Sequence, residues 1–304
     1  MSAAASASDS CSNPASLLDP NARRSKYRAQ WNDDFHHAWH VLLTGETSGY
    51  YRDYADPRRH IARTLASGFA YQGEPSAHRG GRRRGEPSGR LPPTAFVSFL
   101  QNHDQIGNRP RGERLVALAP AQAIEAALAV MLLAPMPPLM FMGEEWGANE
   151  PFPFFCDFSG ALADPVRKGR RAEFKEAYLH QKQESEIPDP LAGATFRSAV
   201  LDWTAREEPG HRRRLDLVTR LLAARRAHVA PRLAGLAHGA AQAAWAETVL
   251  TASWRLNGGV LALIANISDA DARRPDMRLG ALIWGGAVGD PLPPWSVHWA
   301  WEDG

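Results

Sequence analysis

The run from Phe96 to Leu100 constrains the fold more than any other stretch of this chain. It is rich in aromatic and β-branched residues, which predicts a buried strand. The run stops abruptly at four polar residues, namely Gln101, Asn102, His103 and Asp104. A carboxylate beside an imidazole at a strand end suits a pocket that binds hydroxyl groups and stabilises developing positive charge. The alternative is a polar cap where the strand meets its loop.

Strands and helices alternate before residue 230, and this alternation predicts a parallel α/β architecture. Three core strands are predicted there, near residues 27, 96 and 139. A closed (β/α)8 barrel has eight strands within ~250 residues, so we expect a partial (β/α)8 barrel of three strands with their helices. The carboxyl ends of barrel strands carry the chemistry. Gln101 to Asp104 are therefore expected on the active face.

Helix signals fit this order of elements. Asn32 or Asp33 can cap a helix that runs from about Asp34 to Leu43 and ends at Gly45. Further helices are predicted over 49–68, 119–133 and 212–228. The segment 71–93, dense in Gly, Pro and Arg, is predicted to be a long loop with Arg82 to Arg84 in solvent.

Short apolar strands follow Pro231, at 249–254, 259–267 and 295–301, and predict a small β-sandwich. The expected domains are a disordered leader (1–16), the barrel part (17–230) and a C-terminal β domain (231–304).

Composition excludes several classes of function. The net charge of +2 gives no field strong enough to indicate nucleic acid or an anionic membrane as a partner. No run of 18 or more apolar residues exists that could span a bilayer. Cys11 and Cys156 lie far apart, which favours free thiols in a reducing cytoplasm and gives no metal-ligand spacing. No cofactor is expected.

Several side chains near the strand ends leave alternatives open. Of the adjacent Asp33 and Asp34, one is expected to cap the helix and the other to face the cleft. Arg109 could contact a substrate hydroxyl or, more simply, pair with a carboxylate. One of Glu144 and Glu145 is expected in the cleft floor, where a structural and a catalytic role are equally compatible with the pattern.

Three histidines lie close together near the start of the first helix. His36 and His40 share a helical face, which a metal could use, but a His-Glu-x-x-His pattern is absent. Packing, capping and lining of the cleft are the other readings of these two residues and of His37.

An ordered set of motifs resembles the malto-oligosyltrehalose trehalohydrolase family of the α-amylase superfamily. The motifs are Gln30 to His37 (QWNDDFHH), Leu42 to Glu46 (LLTGE), Phe99 to Gln105 (FLQNHDQ), Pro138 to Trp146 (PLMFMGEEW), Pro188 to Pro190 (PDP) and Leu201 to Trp203 (LDW). The set is similar to the family over roughly residues 17 to 304.

The resemblance implies hydrolysis of the α-1,4 bond next to a terminal trehalosyl unit, which releases trehalose from a malto-oligosaccharide-type substrate. Family members are retaining glycosidases with an Asp nucleophile, a Glu general acid/base and an Asp stabiliser on a barrel with a C-terminal β domain. The stabiliser matches Asp104. Substrate-binding positions are then expected at His103, Asn102, Gln101, Trp31, Asp34, His37, Arg109 and Glu145, with no metal.

The chain departs from the family pattern at its start. The strands that carry the nucleophile and the general acid precede the Gln30 to His37 motif in the family, and only about thirty residues precede it here. We therefore expect a truncated fragment, whose partner would be the missing N-terminal half of the enzyme. The alternatives are a non-catalytic glucan-binding remnant, a fragment that does not fold, and a related α-glucan hydrolase or branching enzyme.

Overall fold

The computed structural model describes residues 13–18, 27–174, 187–234 and 241–304. The chain divides into two compact units. The first unit comprises Met1–Leu100, Pro120–Leu139 and Leu217–Gly304, and the second comprises Gln101–Ala119 and Met140–Asp216. Within the described ranges, the structure contains no helix with the length and apolar character needed to cross a membrane.

Helices supply most of the regular structure before residue 235. The α-helices are α1 (Asp33–Thr44), α2 (Pro57–Ser67), α3 (His103–Gly107), α4 (Ala121–Leu133), α5 (Ala163–Glu173), α6 (Gly193–Ser198) and α7 (Pro209–Ala224). Short 3₁₀ turns span Ala15–Leu17, Gly49–Tyr54, Pro93–Ala95, Leu115–Ala117, Gly160–Leu162, Trp203–Glu207 and Ala230–Arg232, and a π turn spans Arg225–Val229. The strands are β1 (Gln30–Trp31), β2 (Glu74–Pro75), β3 (Arg83–Arg84), β4 (Phe96–Val97), β5 (Ala241–Ala246), β6 (Val249–Leu256), β7 (Gly259–Asn266), β8 (Ala281–Trp284) and β9 (Val297–Asp303).

The end of the first helix confirms its prediction, but the expected side-chain cap at its start is wrong, because Asn32 makes no capping hydrogen bond and donates to Gly68 O at 2.8 Å. α1 ends at Gly45, whose φ of +73° suits a residue without a Cβ and whose amide donates to Val41 O at 2.9 Å.

The second helix corrects another prediction. The single helix predicted over 49–68 is instead a 3₁₀ turn followed by α2. The break arises because Asp56 caps a new helix by accepting the Arg59 amide, with Pro57 at its first position.

Three chain segments of the first unit run parallel beside one another. β1 pairs with β4, with Gln30 opposite Phe96 and Trp31 opposite Val97. Ser98 then forms a parallel bridge to Pro138, and Leu139 N donates to Ser98 O at 2.8 Å. The segments predicted near residues 27, 96 and 139 are therefore neighbours, although each pairs over a few residues only.

The strand predicted near residue 139 does not extend past the bridge at Pro138. Gly143 takes a left-handed φ of +82°, and a Cβ there would lie 2.7 Å from the Ala148 Cβ, so the chain turns at a position that requires glycine. Met142, directly before this turn, is exposed.

The loop predicted over 71–93 contains an antiparallel pair, in which β2 faces β3 with Glu74 opposite Arg84. Arg84 is buried, so the prediction of a solvated arginine run is wrong at this position. Its buried partners are described below with Asp34.

The C-terminal strands form one antiparallel sheet in the order β5-β6-β7-β9-β8, and not the predicted sandwich of two sheets. Helices cover one face in place of a second sheet. Trp254 and Trp299 stack at 5.5 Å, and their indole N–H groups donate to Leu65 O on α2 and Ala129 O on α4. The two compact units are built from interleaved segments and do not divide the chain between residues 230 and 231. The domain boundary expected there stays a prediction.

Of the predicted leader, only residues 13–16 are described. Asn13 is buried and donates to Asp34 Oδ2 at 2.8 Å, and the Ser16 amide donates to Glu86 at 2.7 Å, so disorder does not describe these four residues. Residues 1–12 lie outside the described part of the chain.

Candidate active site

The exposed acid–imidazole pair lies at the start of α3 in the second unit. The side chains of His103 and Asp104 are 53% and 57% exposed, and His103 Nε2 lies 3.3 Å from Asp104 Oδ1. The structure therefore brings these two side chains together after a buried strand, as the sequence predicts. Both can reach a ligand from solvent.

Asn102 and Gln101 support this pair from beneath. Asn102 caps α3, because its Oδ1 accepts the amides of Asp104 and Gln105 at 2.8 and 3.3 Å. Gln101 Oε1 accepts the Leu115 amide at 3.0 Å. Both side chains are buried. These hydrogen bonds fit a role in positioning Asp104, and the direct contact with substrate predicted for both residues stays a prediction.

The far end of α3 is held by an arginine that sequence reasoning missed. The buried Arg170 donates to Gly107 O at 2.6 Å and to Arg109 O at 2.9 Å, and its guanidinium lies over the Phe174 ring. Arg109 Nε lies 3.5 Å from a Glu113 carboxylate oxygen. Of the two alternatives for Arg109, the structure therefore shows the carboxylate pair. No spacing in the sequence links residue 170 to residue 107.

Glu144, rather than Glu145, is the buried member of the acidic pair. Its Oε2 accepts the Phe141 amide at 3.0 Å. Burial raises the pKa of Glu144 to about 8, against the opposing effects of the Phe141 amide, Arg114, Gln101 and Arg214. Glu145 is half-buried beside it. Sequence alone did not distinguish the two because the left-handed turn at Gly143 decides which side chain points inward.

Arg114 fixes the turn that carries these two carboxylates. It donates to Glu150 O and Met142 O at 2.5 and 2.8 Å and lies 5.0 Å from the centroid of the Phe141 ring. Burial lowers the pKa of Arg114, and the charge of Glu144 opposes this effect most strongly. The second unit thus holds an exposed carboxylate at α3 and a buried one at this turn.

Asp34 lies in the interior of the first unit and is 0% exposed. Its two oxygens accept five hydrogen bonds of 2.5–3.0 Å, from Asn13, Tyr54, the amides of Ala70 and Tyr71, and Arg84. The Arg84 guanidinium also lies 3.7 Å from Asp53. A carboxylate with this many donors has no acceptor site left for a sugar hydroxyl. The predicted substrate-facing Asp34 therefore does not fit the structure.

The histidines of α1 are packed and hydrogen-bonded within the first unit. His36 Nδ1 donates to Leu100 O at 2.5 Å, while its Nε2 accepts from the Tyr51 hydroxyl at 3.1 Å. His40 Nε2 lies 2.7 Å from Glu46. His37 is buried among tyrosine rings, and burial, followed by the nearby His36, lowers its pKa well below the ordinary value. The predicted role of His37 in contacting substrate does not fit this position, whereas packing does.

Trp31 is the predicted sugar-binding residue of the first unit that remains accessible. Its side chain is 41% exposed, and its ring meets the edge of Phe99 at 6.0 Å. Trp31 therefore presents part of its indole to solvent while a neighbouring ring packs against it.

Comparison with known proteins identifies relatives of this chain. A scan against protein-family models found no match. Malto-oligosyltrehalose trehalohydrolase from Deinococcus radiodurans is 44% identical over 197 residues, which are 64% of this chain and 32% of the relative. The enzyme of the same name from Brevibacterium helvolum is 36% identical over 279 residues, or 88% of this chain and 46% of the relative. The chain therefore spans less than half the length of these relatives.

A solved structure supports the same relationship. The crystal structure of a Salmonella typhimurium protein, provisionally assigned as an α-amylase, is 40% identical and superposes with a TM-score of 0.88. The match covers 96% of this chain and 50% of that one. The α/β fold with a C-terminal antiparallel sheet is thus that of an α-amylase-like protein. By these sequence relatives, the chain is a homologue of part of the proteins named malto-oligosyltrehalose trehalohydrolase.

Proposed function

We propose that this chain forms part of a trehalohydrolase-type active site, which cleaves the α-1,4 bond next to the terminal trehalosyl unit of malto-oligosyltrehalose and releases trehalose. The observation that carries the proposal is the exposed Asp104 beside His103 on a capped turn after a buried strand. A family relationship alone would leave the site unspecified, because function depends on the residues of the site.

The chemistry follows from the position of each group. Retaining glycoside hydrolysis passes through a transition state with positive charge on the sugar ring. The Asp104 carboxylate stabilises that charge from a fixed position, and His103 binds a sugar hydroxyl. Asn102 and Gln101 hold the turn in place. Trp31 is proposed as a stacking ring for a glucosyl unit, on the basis of its exposure, and Arg109 and Glu145 as groups that shape the site.

The parallel segments support a proposal about architecture. β1, β4 and the segment at Pro138 are proposed as the last three strands of a (β/α)8 barrel, because they lie side by side and polar residues follow the middle one. Residues 17–230 would then be the barrel part and residues 231–304 the C-terminal β domain.

Two further carboxylates are needed for double displacement. No residue of this sequence matches the family's nucleophile or general acid by motif. We propose that a part of the enzyme outside these 304 residues supplies both groups, which makes the N-terminal half of the enzyme the expected partner. A reducing cytoplasm is the proposed location, on the ground that the two cysteines lie far apart in the sequence.

A second candidate is a glucan-binding protein without catalysis. Calorimetric titration with maltotriosyl trehalose, combined with an assay for released trehalose, separates the two. The proposed function predicts that the chain binds this oligosaccharide. It also predicts trehalose release by a chimaera in which the chain replaces the matched segment of the Brevibacterium helvolum relative. Binding by the chain together with a folded but inactive chimaera would support the second candidate and contradict the first.

A further inference from the structure

A groove of about 260 Å³ lies in the first unit, at the β8 edge of the C-terminal sheet. Its walls are formed by α4, by Leu217 of α7 and by the segment leading into β9. Two tryptophans lie in it together with polar side chains, and the residues that matter here are Gln122, Glu125, Leu217, Trp284 and Trp295. We refer to it as the tryptophan groove.

The sheet register places Trp284 over α4. Trp284 pairs with Trp299 across β8 and β9, and directly paired residues point to the same face of a sheet. The Trp299 indole donates to Ala129 O on α4, so this face is the one that covers α4. β8 is an edge strand, and Trp284 therefore extends to the open margin of the sheet. The Arg220 guanidinium lies 5.7 Å from its ring centroid and steadies it.

Trp295 occupies a backbone conformation that is unfavourable for its residue type. Its φ is +54°, in the left-handed region that favours glycine. The surrounding hydrogen bonds impose it: the Trp295 amide donates to Ser268 O at 3.0 Å, and Asn266 N donates to Ser296 O at 2.9 Å. Strain of this kind collects at ligand-binding positions. A large ring at a position where glycine would cost less indicates that the ring itself is used.

Polar groups complete the groove with the chemistry of carbohydrate binding. Gln122 and Glu125 lie three residues apart on α4, which places an amide and a carboxylate on one helical face. Aromatic faces bind the apolar face of a pyranose, while amides and carboxylates bind its hydroxyls. The carboxylate of Glu125 disfavours a phosphate or another anion.

We propose that the tryptophan groove, which residues of the first unit form, is a second binding site for an α-1,4-glucan chain. The choice of an α-glucan over another neutral sugar rests on the proposed function, whereas the existence of a sugar site rests on the groove itself. The site would hold a substrate chain on the C-terminal sheet without taking part in bond cleavage.

Calorimetric titration of the 304-residue chain with maltoheptaose tests the proposal. We expect Trp284→Ala and Trp295→Gly each to weaken binding by about tenfold or more, because each removes a stacking ring. Trp295→Gly also relieves the left-handed strain, so its thermal stability should be equal to or above that of the wild type, which separates lost binding from lost folding. Cellohexaose, the β-linked probe, should bind more weakly than maltoheptaose.

Trp245→Ala is the matched control. Trp245 lies on β5, the opposite edge strand, and also has an arginine over its ring, with Arg58 at 5.8 Å, but it does not line the groove. Maltoheptaose affinity that is unchanged in both groove variants, or reduced equally in the control, would overturn the proposal. Equal affinity for cellohexaose would overturn the assignment to α-glucans. If the proposed function were wrong and the groove proposal right, the chimaera would release no trehalose, but the groove variants would still bind maltoheptaose more weakly.

Discussion

The sequence motifs predict both Asp34 and Asp104 as carboxylates of the site, but the two side chains differ in burial and in hydrogen bonding. Asp34 is buried in the first unit with five donors around its oxygens, Arg84 among them. Asp104 is mostly exposed in the second unit, on a turn whose cap leaves the carboxylate itself open to solvent. The difference shows that a motif position becomes a candidate catalytic position only when its polar atoms retain unused hydrogen-bonding capacity.

The largest effect is expected from Asp34→Ala. Removing one member of a buried ion pair leaves its partner charged and desolvated, so this substitution should lower the free energy of unfolding by ~3–5 kcal/mol. Arg84 would retain its longer ion pair with Asp53, at 3.7 Å. Urea denaturation measures the effect. Asp104→Ala is the control and should remain within ~0.5 kcal/mol of the wild type, as exposed substitutions do. Equal losses in the two variants would remove the distinction between the two carboxylates.

Glu144 is a third carboxylate that sharpens the comparison, because it is buried without a dominant ion pair. Its pKa of about 8 in the folded chain lies above the ordinary carboxyl value, so the folded state binds more protons than the unfolded state between these two values. Glu144 therefore contributes stability that is present at low pH and is lost as the pH rises towards about 8.

Glu144→Gln should remove this dependence. As the pH rises from the ordinary carboxyl pKa towards about 8, the free energy of unfolding of the wild type should fall by up to ~1.4 kcal/mol per pH unit more than that of the variant. Thermal unfolding recorded across the window measures the difference, and Glu145→Gln at the half-buried neighbour is the matched control. If the two glutamine variants and the wild type had parallel pH profiles, Glu144 would be ionised in the folded chain and this description of its environment would be wrong.

The smallest expected effect on stability is at Asn102. Asn102→Ala removes the cap of α3 and should cost ~1 kcal/mol, while Asn102→Ser, which keeps a capping oxygen, should restore most of that loss. If Asn102 acts by holding Asp104, trehalose release by the chimaera should fall in the alanine variant and recover in the serine variant. A serine variant as impaired as the alanine variant would indicate that Asn102 contacts substrate directly.

The sequence predicted those features whose causes are local. The end of α1 follows from Gly45, and the exposed pair at residues 103–104 follows from the abrupt end of an apolar run. The tryptophan-rich C-terminal region was also recognisable as β structure. In each case the neighbouring residues determine the result.

The features that sequence reasoning missed depend on distant partners. Arg84 in a Gly- and Arg-rich segment resembles a surface residue, and its burial depends on partners far along the chain, Asp34 and Asp53. Likewise, Arg170 holds α3 from more than sixty residues away. The second sheet of the expected sandwich is replaced by α2 and α4, a substitution that the alternating pattern of a strand cannot reveal. The apolar alternation of a strand predicts that one face of its sheet is buried, but it does not predict which element packs against that face.

The central claim is that Asp104 stabilises the charge of the transition state, and trehalose release by the Brevibacterium helvolum chimaera tests it most directly. Loss of one such electrostatic group typically costs ~2.7–4 kcal/mol of barrier, so Asp104→Asn should reduce turnover of maltotriosyl trehalose at least ~100-fold. Its unfolding free energy should remain unchanged. Near-normal turnover in a folded Asp104→Asn chimaera would contradict the assignment.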